Sequence, residues 1–512
     1  MKSVLEYLEE TAGRMPDQTA VIDEKERCSY QELLRVSRGM GASLLPRNLS
    51  GRPVAVMMKK SLLTLECFFG IAYAGGFYCL LDPDFPRSRL KKQISILQPE
   101  VVITLPEHAE KLHSTGYEGD VFMAEKMREE ALAEPLSQEA EQELTALRDR
   151  MEPSAPLYCN FTSGSTGTPK GVLVGHDSVI AFIDAFTPLF SITKEDVIGN
   201  QAPFDFDVSV KDIFSAMKTG ATLVIIPTAF FRFPAKVMDM LQDNGVTTLI
   251  WAVSALVLID RLHGFLYKVP DKISKVLFSG EEMPPAHLQS WMTQYPKASF
   301  VNLYGPTEIT CNCTYYRIET MPDPEKKIPI GMDYPGKEVF LCDPETGDLI
   351  PPEREEETGE LCVTGAGLAI GYYKNEEATK AAFVTMDLPG KGKVRVYRTG
   401  DLARKKEGLW YFAGRKDFQI KHNGHRIELE EIQRAMNSLP EVLQSCCIYV
   451  EEKYRIVAFY TGEADKKSIV AGLKEKLPDY MIPTVYMPLS DFPLNKNGKI
   501  DRKALRESLI KK

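Results

Sequence analysis

The sequence has no run of about 18 apolar residues, the length that a membrane-spanning helix requires. Its N-terminal stretch turns acidic at Glu6, before an apolar signal core could form. The 10 cysteines include no Cys-x-x-Cys spacing and only two close pairs, Cys311 with Cys313 and Cys446 with Cys447. These absences argue against a membrane protein, a zinc site and a disulfide-stapled secreted fold. We therefore expect a cytoplasmic protein in a reducing compartment.

A basic surface is also missing, since the formal net charge is -9. Binding to nucleic acid or to an anionic membrane through overall charge is therefore not expected. The sequence has neither internal repeats nor a low-complexity linker. Its 512 residues correspond to about three units of roughly 150 residues, some of which can merge into one domain.

Predicted strands alternate with predicted helices over about the first 330 residues, which is typical of parallel α/β sheets. Shorter strands with Gly, Pro and Asp turns follow over about 330–416 and predict a small β-barrel-like subdomain. From 417 to 512 helices and strands alternate again, with a hairpin around Asn423-Gly424. The predicted fold class is therefore α/β, with a body of residues 1–416 and a smaller α+β domain of residues 417–512.

The stretch from Phe161 to Gly171 is crowded with glycine and hydroxyl residues and contains Lys170 near its end. Backbone N–H groups, hydroxyls and an ammonium together suit a triphosphate. The common nucleotide-binding loop is excluded, because it needs Gly-Lys-Ser/Thr and here the lysine stands between Pro169 and Gly171. The alternative is a flexible linker rich in glycine and serine.

A second motif reads Asn-Leu-Tyr-Gly-Pro-Thr-Glu over residues 302–308. It follows a predicted strand, and open α/β sheets bind ligands at the carboxyl ends of their strands. The Tyr304 ring can stack on adenine, Thr307 can bond phosphate, and Glu308 offers the oxygen ligands that Mg²⁺ accepts beside ATP. By itself the motif could equally be a turn marked by Gly-Pro, and its meaning comes from its combination with the loop.

These motifs, together with others in register, resemble the ANL superfamily of adenylate-forming enzymes. Within it, the chain is similar to the amino-acid adenylation domains of nonribosomal peptide synthesis and to D-alanine–carrier protein ligases. The resemblance covers nearly the whole chain. The further segments that carry it are Gly359–Leu361 through Gly371–Tyr372, Tyr397–Leu402, Gly414–Lys421, Leu477–Pro483 and Asn497–Arg502.

The resemblance implies ATP and Mg²⁺ as cofactors, and a body of two α/β subdomains plus the β-rich subdomain, followed by a mobile C-terminal domain. Lys499 and Glu308 would be catalytic, with Glu308 also the metal ligand. Asp401 would accept hydrogen bonds from the ribose hydroxyls of ATP, and Lys170 would position the phosphates of ATP. The implied ATP-binding residues are Thr162, Ser163, Gly164, Ser165, Thr166, Gly167, Thr168, Lys170, Gly280, Glu281, Asn302, Tyr304, Gly305, Thr307, Asp401 and Arg415.

The same resemblance implies a domain movement. Asp417 matches the hinge residue of the family, and Lys421 and Gly424 match the surface that faces the thiol in the second half-reaction. Neither a phosphopantetheine attachment motif nor a condensation signature is found in the sequence. We therefore expect a separate carrier protein that acts in trans, with no nucleic-acid partner and no membrane insertion.

Asp207 stands where amino-acid-activating members of the superfamily keep an aspartate for the α-ammonium, a charge that needs a counter-ion once it leaves water. Acyl- and aryl-activating members have no need of it. The implied amino-acid pocket is Asp207, Val208, Lys211, Trp251, Leu277, Ser279, Leu303, Cys311 and Asn312, with Lys499.

The bulk of Trp251 favours a small substrate side chain. We expect D-alanine or alanine first, serine second, and aspartate or another small polar acid third. Ser279, Lys211, Cys311 and Asn312 depart from the D-alanine ligases. Lys211 and Asn312 could pair with each other or with nearby acids, or they could bind a hydroxyl or carboxylate of the substrate. The alternatives are an acyl- or aryl-CoA ligase of the same superfamily and a nucleotide-binding regulator without turnover.

Overall fold

The computed structural model describes residues 1–164, 168–354, 356–494 and 500–510. The α-helices cover the sheets of the body and continue into the C-terminal domain, which is called the cap below. In the described residues the helices are Leu5–Arg14, Tyr30–Leu44, Leu62–Tyr73, Arg87–Leu97, Pro106–Ser114, Ala124–Ala133, Gln138–Arg150, His176–Leu189, Val208–Thr219, Pro234–Asp243, Val253–Arg261, Gly264–Tyr267, Pro285–Gln294, Glu376–Ala382, Leu429–Asn437, Lys466–Lys474 and Arg502–Ile510. Within the described ranges, no helix has the length and apolar character needed to cross a membrane.

The first sheet of the body has seven strands. From edge to edge they are Gly371–Tyr372, Lys170–Gly175, Pro156–Thr162, Phe77–Leu80, Pro53–Met57, Val101–Thr104 and Asp120–Met123. The central strand Pro53–Met57 is buried at every position, as expected of a parallel strand covered by helices on both faces. The predicted phosphate loop connects two antiparallel strands of this sheet, Pro156–Thr162 and Lys170–Gly175.

The second sheet has nine strands. From edge to edge they are Met332–Asp333, Thr314–Ile318, Ser299–Tyr304, Lys275–Ser279, Thr248–Ala252, Val197–Asn200, Thr222–Ile225, Thr19–Ile22 and Arg27–Ser29. The strands Val197–Asn200, Thr248–Ala252, Lys275–Ser279 and Ser299–Tyr304 run parallel as direct neighbours. Residues that follow them therefore meet at one edge of the sheet.

The third sheet is antiparallel and forms the predicted β-rich subdomain. Its strands are, in spatial order, Lys337–Cys342, Gly359–Gly365, Gly392–Lys406 and Phe383–Leu388, with Leu409–Arg415 also paired to the long strand Gly392–Lys406. Two α/β sheets and one small antiparallel sheet make up the body, so the predicted fold class is confirmed.

The cap begins with a hairpin of Gln419–His422 and His425–Glu428. Its two turn residues, Asn423 and Gly424, have φ of 52° and 79°, the left-handed values that two-residue hairpin turns require. The predicted hairpin is thus confirmed. The other strands of the cap are Val442–Val450, Arg455–Gly462 and Val485–Pro488. They pack with the helices around an apolar core of the cap's own, while the exact boundary at residue 417 stays a prediction.

The cap contacts the body through a buried ion pair and through an edge-on contact between two rings. Arg89 Nη1 lies 3.0 Å from Glu431 Oε1, and both side chains are buried. The His425 ring stacks on Tyr480 at 3.5 Å and meets Phe206 of the body edge-on at 4.6 Å, both measured between ring centroids. These contacts hold the hairpin against the carboxyl edges of the body strands.

We expect Arg89→Met to open the cap. The variant leaves the Glu431 carboxylate buried without its counter-charge, and breaking a buried pair in this way costs about 3–5 kcal/mol. Small-angle X-ray scattering of the ligand-free protein should show a larger radius of gyration. Arg52→Met is the control, because Arg52 forms an exposed pair with Glu100. Equal radii for Arg89→Met and the control would contradict the role of this ion pair.

Candidate functional site

One cavity lies where the cap meets the carboxyl edges of the body strands, and many of the predicted residues line it. The predicted residues that line the cavity are Thr162, Ser163, Gly280, Gly305, Thr307, Asp401, Arg415, Asp207, Val208, Lys211, Ser279, Cys311, Asn312, Lys421 and Gly424. Four further predictions, Ser165, Thr166, Gly167 and Lys499, lie outside the described residues.

Asp401 marks the predicted nucleotide end of the cavity and is buried in the strand Gly392–Lys406. The Tyr304 hydroxyl donates a hydrogen bond to one carboxylate oxygen, and Arg415 forms an ion pair with the other. Arg415 also donates from Nε to Asp417 at 2.7 Å. Burial would raise the pKa of Asp417, but the hydrogen bond and charge of Arg415 outweigh it and lower that pKa. The predicted ribose-binding aspartate and the predicted hinge therefore share one arginine.

Glu308 is held by the cap. Arg426 Nη1 lies 2.9 Å from each carboxylate oxygen, and the Tyr372 hydroxyl donates to Oε1 at 2.8 Å. Burial would raise the pKa of Glu308, but the Arg426 charge outweighs it and lowers that pKa. No group of three or more His, Cys, Asp or Glu side chains suited to a metal occurs in the described parts of the chain. The predicted Mg²⁺ role of Glu308 stays a prediction, and in this arrangement the Arg426 guanidinium contacts both carboxylate oxygens.

The described part of the phosphate loop adjoins the cavity. The Ser163 hydroxyl donates to the Arg426 carbonyl oxygen at 2.7 Å. At Gly164 an added Cβ would lie 2.1 Å from the Thr168 carbonyl oxygen, so only glycine allows this close approach. Lys170 Nζ lies 5.3 Å from the centroid of the Tyr372 ring, outside the cavity lining. The phosphate contacts of these residues stay predictions.

At the predicted amino-acid end, Asp207 directly precedes the helix Val208–Thr219, and Lys211 lies one turn later. Lys211 is buried, and its Nζ donates to Ser279 Oγ at 3.2 Å and to Asn312 Oδ1 at 3.1 Å. Burial lowers the pKa of Lys211. Burial also raises the pKa of Asp207, while the Lys211 charge opposes that rise. Two opposite charges thus line this end of the cavity.

The loop from Ile309 to Asn312 forms one wall at this end. Thr310 and Cys311 have φ of 53° and 70°, left-handed values that are unfavourable for residues with a side chain. The Lys337 ammonium holds the loop by donating to the carbonyl oxygens of Ile309, of Thr310 at 3.2 Å and of Asn312 at 2.8 Å. Burial lowers the pKa of Lys337 to about 8. Sequence reasoning missed Lys337, because nothing near it in the chain indicates this loop.

Trp251 does not line the cavity, and this corrects its predicted place in the pocket. Its indole Nε1 donates to the Gly199 carbonyl oxygen at 2.7 Å, and the ring packs in a separate apolar core. The neighbouring Ile250 instead packs on the site side of the sheet, in one core with Leu277 and Leu303. Successive strand residues point to opposite faces, so a shift of one position explains the error. Leu277 and Leu303 are behind the cavity wall.

Three other predicted residues make contacts within the protein. Glu281 accepts a hydrogen bond from the Gly424 backbone N–H at 2.9 Å and so ties the hairpin to the body. The Asn302 side chain donates to a backbone carbonyl at 2.8 Å. Lys421 Nζ lies 5.1 Å from the centroid of the Tyr304 ring. Their roles with ATP or a thiol stay predictions.

Arg426 is the second functional residue that sequence reasoning missed. The signal was present in the predicted hairpin, because a two-residue Asn-Gly turn places Arg426 directly opposite Lys421. Residues opposite each other on two strands share one face. The prediction that Lys421 faces the site therefore implied the same for Arg426.

Residues 8–373 match the family described as AMP-binding enzyme. Since this match covers more than half of the sequence, the chain belongs to the AMP-binding enzyme family, the adenylate-forming enzymes of the ANL superfamily. The resemblance to adenylation domains is thereby confirmed.

Two relatives are similar to this chain over nearly its whole length. Zwittermicin A synthase ZmaJ of Bacillus cereus is 33% identical over 521 residues, with 98% of this chain and 94% of that protein covered. Tyrocidine synthase 1 of Brevibacillus parabrevis is 30% identical over 516 residues, with 99% of this chain but 45% of that protein covered. The chain thus spans nearly all of the first relative and less than half of the second.

Solved structures agree on the fold. The Vibrio cholerae adenylation domain AlmE, in complex with glycyl-adenosine-5'-phosphate, has a TM-score of 0.85 at 21% identity and covers 100% of this chain and 98% of its own. Holo-PA1221, a nonribosomal peptide synthetase protein with adenylation and PCP domains, has a TM-score of 0.83 at 23% identity, covering 99% of this chain and 84% of its own. The fold is therefore that of an adenylation domain.

We expect Gly305→Ala to damage the site more than the fold. An added Cβ would lie 2.5 Å from both Asn312 Cα and the Cys311 carbonyl oxygen, so the loop wall must shift. Overpacking of this kind costs about 1–3 kcal/mol. Binding of the amino-acid substrate, measured by its KM, should weaken at least about tenfold.

Gly13→Ala is the matched control for Gly305→Ala, because an added Cβ there meets nothing within 4 Å. Gly13 lies in the helix Leu5–Arg14, where alanine is favoured over glycine, so thermal stability should stay equal or rise. An unchanged KM in Gly305→Ala would show that the loop wall does not contact the substrate.

Proposed function

We propose that the protein uses ATP to convert an amino acid into aminoacyl-AMP and pyrophosphate, and then passes the aminoacyl group to the phosphopantetheine thiol of a separate carrier protein. The observation that carries this proposal is the Asp207 carboxylate in the cavity lining. An amino acid brings an α-ammonium to pair with this carboxylate, whereas a fatty or aromatic acid leaves it without a counter-charge. This difference disfavours an acyl- or aryl-CoA ligase.

In the first step, a carboxylate oxygen of the amino acid attacks the α-phosphorus of ATP. The bond from that phosphorus to the oxygen that bridges toward the β-phosphate breaks, and its electron pair leaves with pyrophosphate. Asp401 with Arg415 would hold the ribose, and Ser163 and Lys170 would hold the departing phosphates. Lys499, as the family resemblance implies, would stabilise the negative charge that develops during the attack. Mg²⁺ would enter with ATP and neutralise phosphate charge.

In the second step, the thiolate sulfur of the carrier attacks the carbonyl carbon of the aminoacyl-AMP, and the carbon–oxygen bond to AMP breaks. Lys421 and Gly424 of the cap line the same cavity as Asp207, which supports entry of the thiol between cap and body. The presence of adenylation and PCP domains together in holo-PA1221 supports a carrier as the partner. Alanine and serine are candidate substrates by resemblance, but the support from the bulk of Trp251 no longer holds.

ATP–pyrophosphate exchange across a panel of amino acids tests the first step. We expect exchange that depends on at least one amino acid, and a loss of about 10²–10³-fold in Lys499→Ala, the usual effect of removing one stabiliser of developing charge. Lys380→Ala, at an exposed position of the helix Glu376–Ala382, is the control and should keep full exchange. Thioester formation from fatty acids and free coenzyme A, without any amino-acid-dependent exchange, would refute the proposal.

We expect Arg426→Ala to separate the two half-reactions. The ion pair with Glu308 holds the hairpin in the position seen here, in which the carrier thiol would be received. Exchange should therefore persist, while transfer to a phosphopantetheinylated carrier should slow at least about tenfold. Removal of the Arg426 guanidinium also leaves Glu308 buried and unpaired, which disfavours this position further.

Single-turnover transfer of radiolabelled aminoacyl-AMP to the carrier measures that second step. Arg455→Ala, an exposed position on the same cap, is the matched control and should behave as the wild type. If exchange and transfer fell by the same factor in Arg426→Ala, the arginine would act on the site as a whole and not on the cap position.

A further inference from the structure

Lys211 brings a positive charge to the amino-acid end of the cavity. It follows Asp207 by one turn at the start of the helix Val208–Thr219, and it is only 1% exposed. Its ammonium donates to Ser279 Oγ at 3.2 Å and to Asn312 Oδ1 at 3.1 Å. Both of these partners are neutral, so within the described parts of the chain the charge has no counter-ion in contact.

The acidic groups that act on Lys211 through space, Asp207 and Asp212, form no ion pair with it among the described residues, and Asp212 Oδ1 is buried without a hydrogen-bond partner. Asp212 accepts a hydrogen bond from the Asn200 side chain at 2.6 Å. Asp207 is the group that the proposed function assigns to the α-ammonium of the substrate. An ammonium carries three N–H donors, of which Ser279 and Asn312 use two. No described residue accepts the third donor, and Lys211 lines the cavity, so this donor can bind a ligand there.

We propose that the substrate is an amino acid with an acidic side chain, aspartate or glutamate, whose carboxylate binds the Lys211 ammonium while its α-ammonium binds Asp207. This rests on the proposed function, because it adds one contact within the same site. Asp207 and Lys211 are four positions apart at the start of one helix, the spacing that brings side chains to one face with Cβ atoms about 5–6 Å apart. The two opposite charges of aspartate or glutamate are likewise joined by a short aliphatic chain.

An amino acid with a neutral side chain would leave the Lys211 ammonium without a counter-charge. Alanine offers nothing to the third donor of Lys211, and serine or asparagine offers an oxygen without a charge. Sites with buried polar groups reject analogues that leave those groups unpaired. A side chain longer than that of alanine is also compatible with the cavity, because Trp251 does not line it.

A purely structural role is the competing explanation, in which Lys211 serves only to hold Ser279 and Asn312. The two explanations differ in what they predict for selectivity. A structural lysine would affect all amino acids alike, whereas a lysine that binds the substrate carboxylate would affect acidic amino acids alone.

The wild-type protein provides the first test. ATP–pyrophosphate exchange is measured with aspartate, glutamate, asparagine, glutamine, serine, alanine and D-alanine. We expect kcat/KM for aspartate or glutamate to exceed that for the matching amide by at least about 100-fold. Exchange that favours alanine, serine or an amide would overturn the acidic side chain and leave the proposed function standing. Exchange with no amino acid would refute the proposed function itself.

Lys211→Met provides the second test, since it keeps an unbranched side chain of similar volume and removes the charge. The preference for the acid over its amide should fall to about onefold or reverse, while the KM for ATP stays within about twofold. Lys218→Met is the matched control on the same helix, where Lys218 pairs with Asp184 at the surface, and it should keep the preference. An equal loss with every amino acid in Lys211→Met would identify a structural lysine and overturn the proposal.

Discussion

The ion pair between Arg426 and Glu308 is the interaction on which the assembled site depends. It joins the cap hairpin to the motif at the end of a second-sheet strand, and the Ser163 hydroxyl of the first sheet donates to the backbone of the same arginine. Three parts of the chain therefore meet at one residue. Because Glu308 is nearly inaccessible to solvent, its charge needs the guanidinium whenever the cap is closed. The position of the cap and the neutralisation of the Glu308 charge therefore depend on the same ion pair.

The two ends of the cavity use charge in different ways. At one end Asp401 and Arg415 neutralise each other, and the pair extends to Asp417, so the carboxylate is fixed in place before any ligand arrives. At the other end Lys211 bonds to neutral partners and lies one turn from Asp207. The Asp401–Arg415 ion pair holds its carboxylate in a fixed position. Asp207 and Lys211 form no ion pair with each other, so each charge can bind a ligand group of opposite charge. Under the proposed function, the same cavity would combine a constant nucleotide contact with a selective substrate contact.

Much of the site could be predicted from the sequence, because parallel strands bring their carboxyl ends to one edge. That rule alone explains why Ser279 and Thr307, on separate strand ends, both line the cavity. The rule does not say which face of the sheet a strand residue points to. A shift of one residue along the strand therefore placed Trp251 on the wrong face. Arg426 binds a partner 118 residues away in sequence, and Lys337 binds carbonyls 25–28 residues away. The local hairpin pattern could place Arg426 on the site face, but local patterns do not identify a partner so far away in the chain.

Lys337 binds the wall of the pocket through carbonyl oxygens alone. Every residue type has this atom, so these three hydrogen bonds do not depend on which side chains the loop carries. An exchange of Cys311 or Asn312 therefore leaves the hydrogen bonds of Lys337 in place where the new residue accepts the local backbone conformation. In such a wall, one set of atoms fixes the backbone and another set, the side chains, lines the cavity. Under the proposed function, such a wall would let substrate specificity change through a few point mutations.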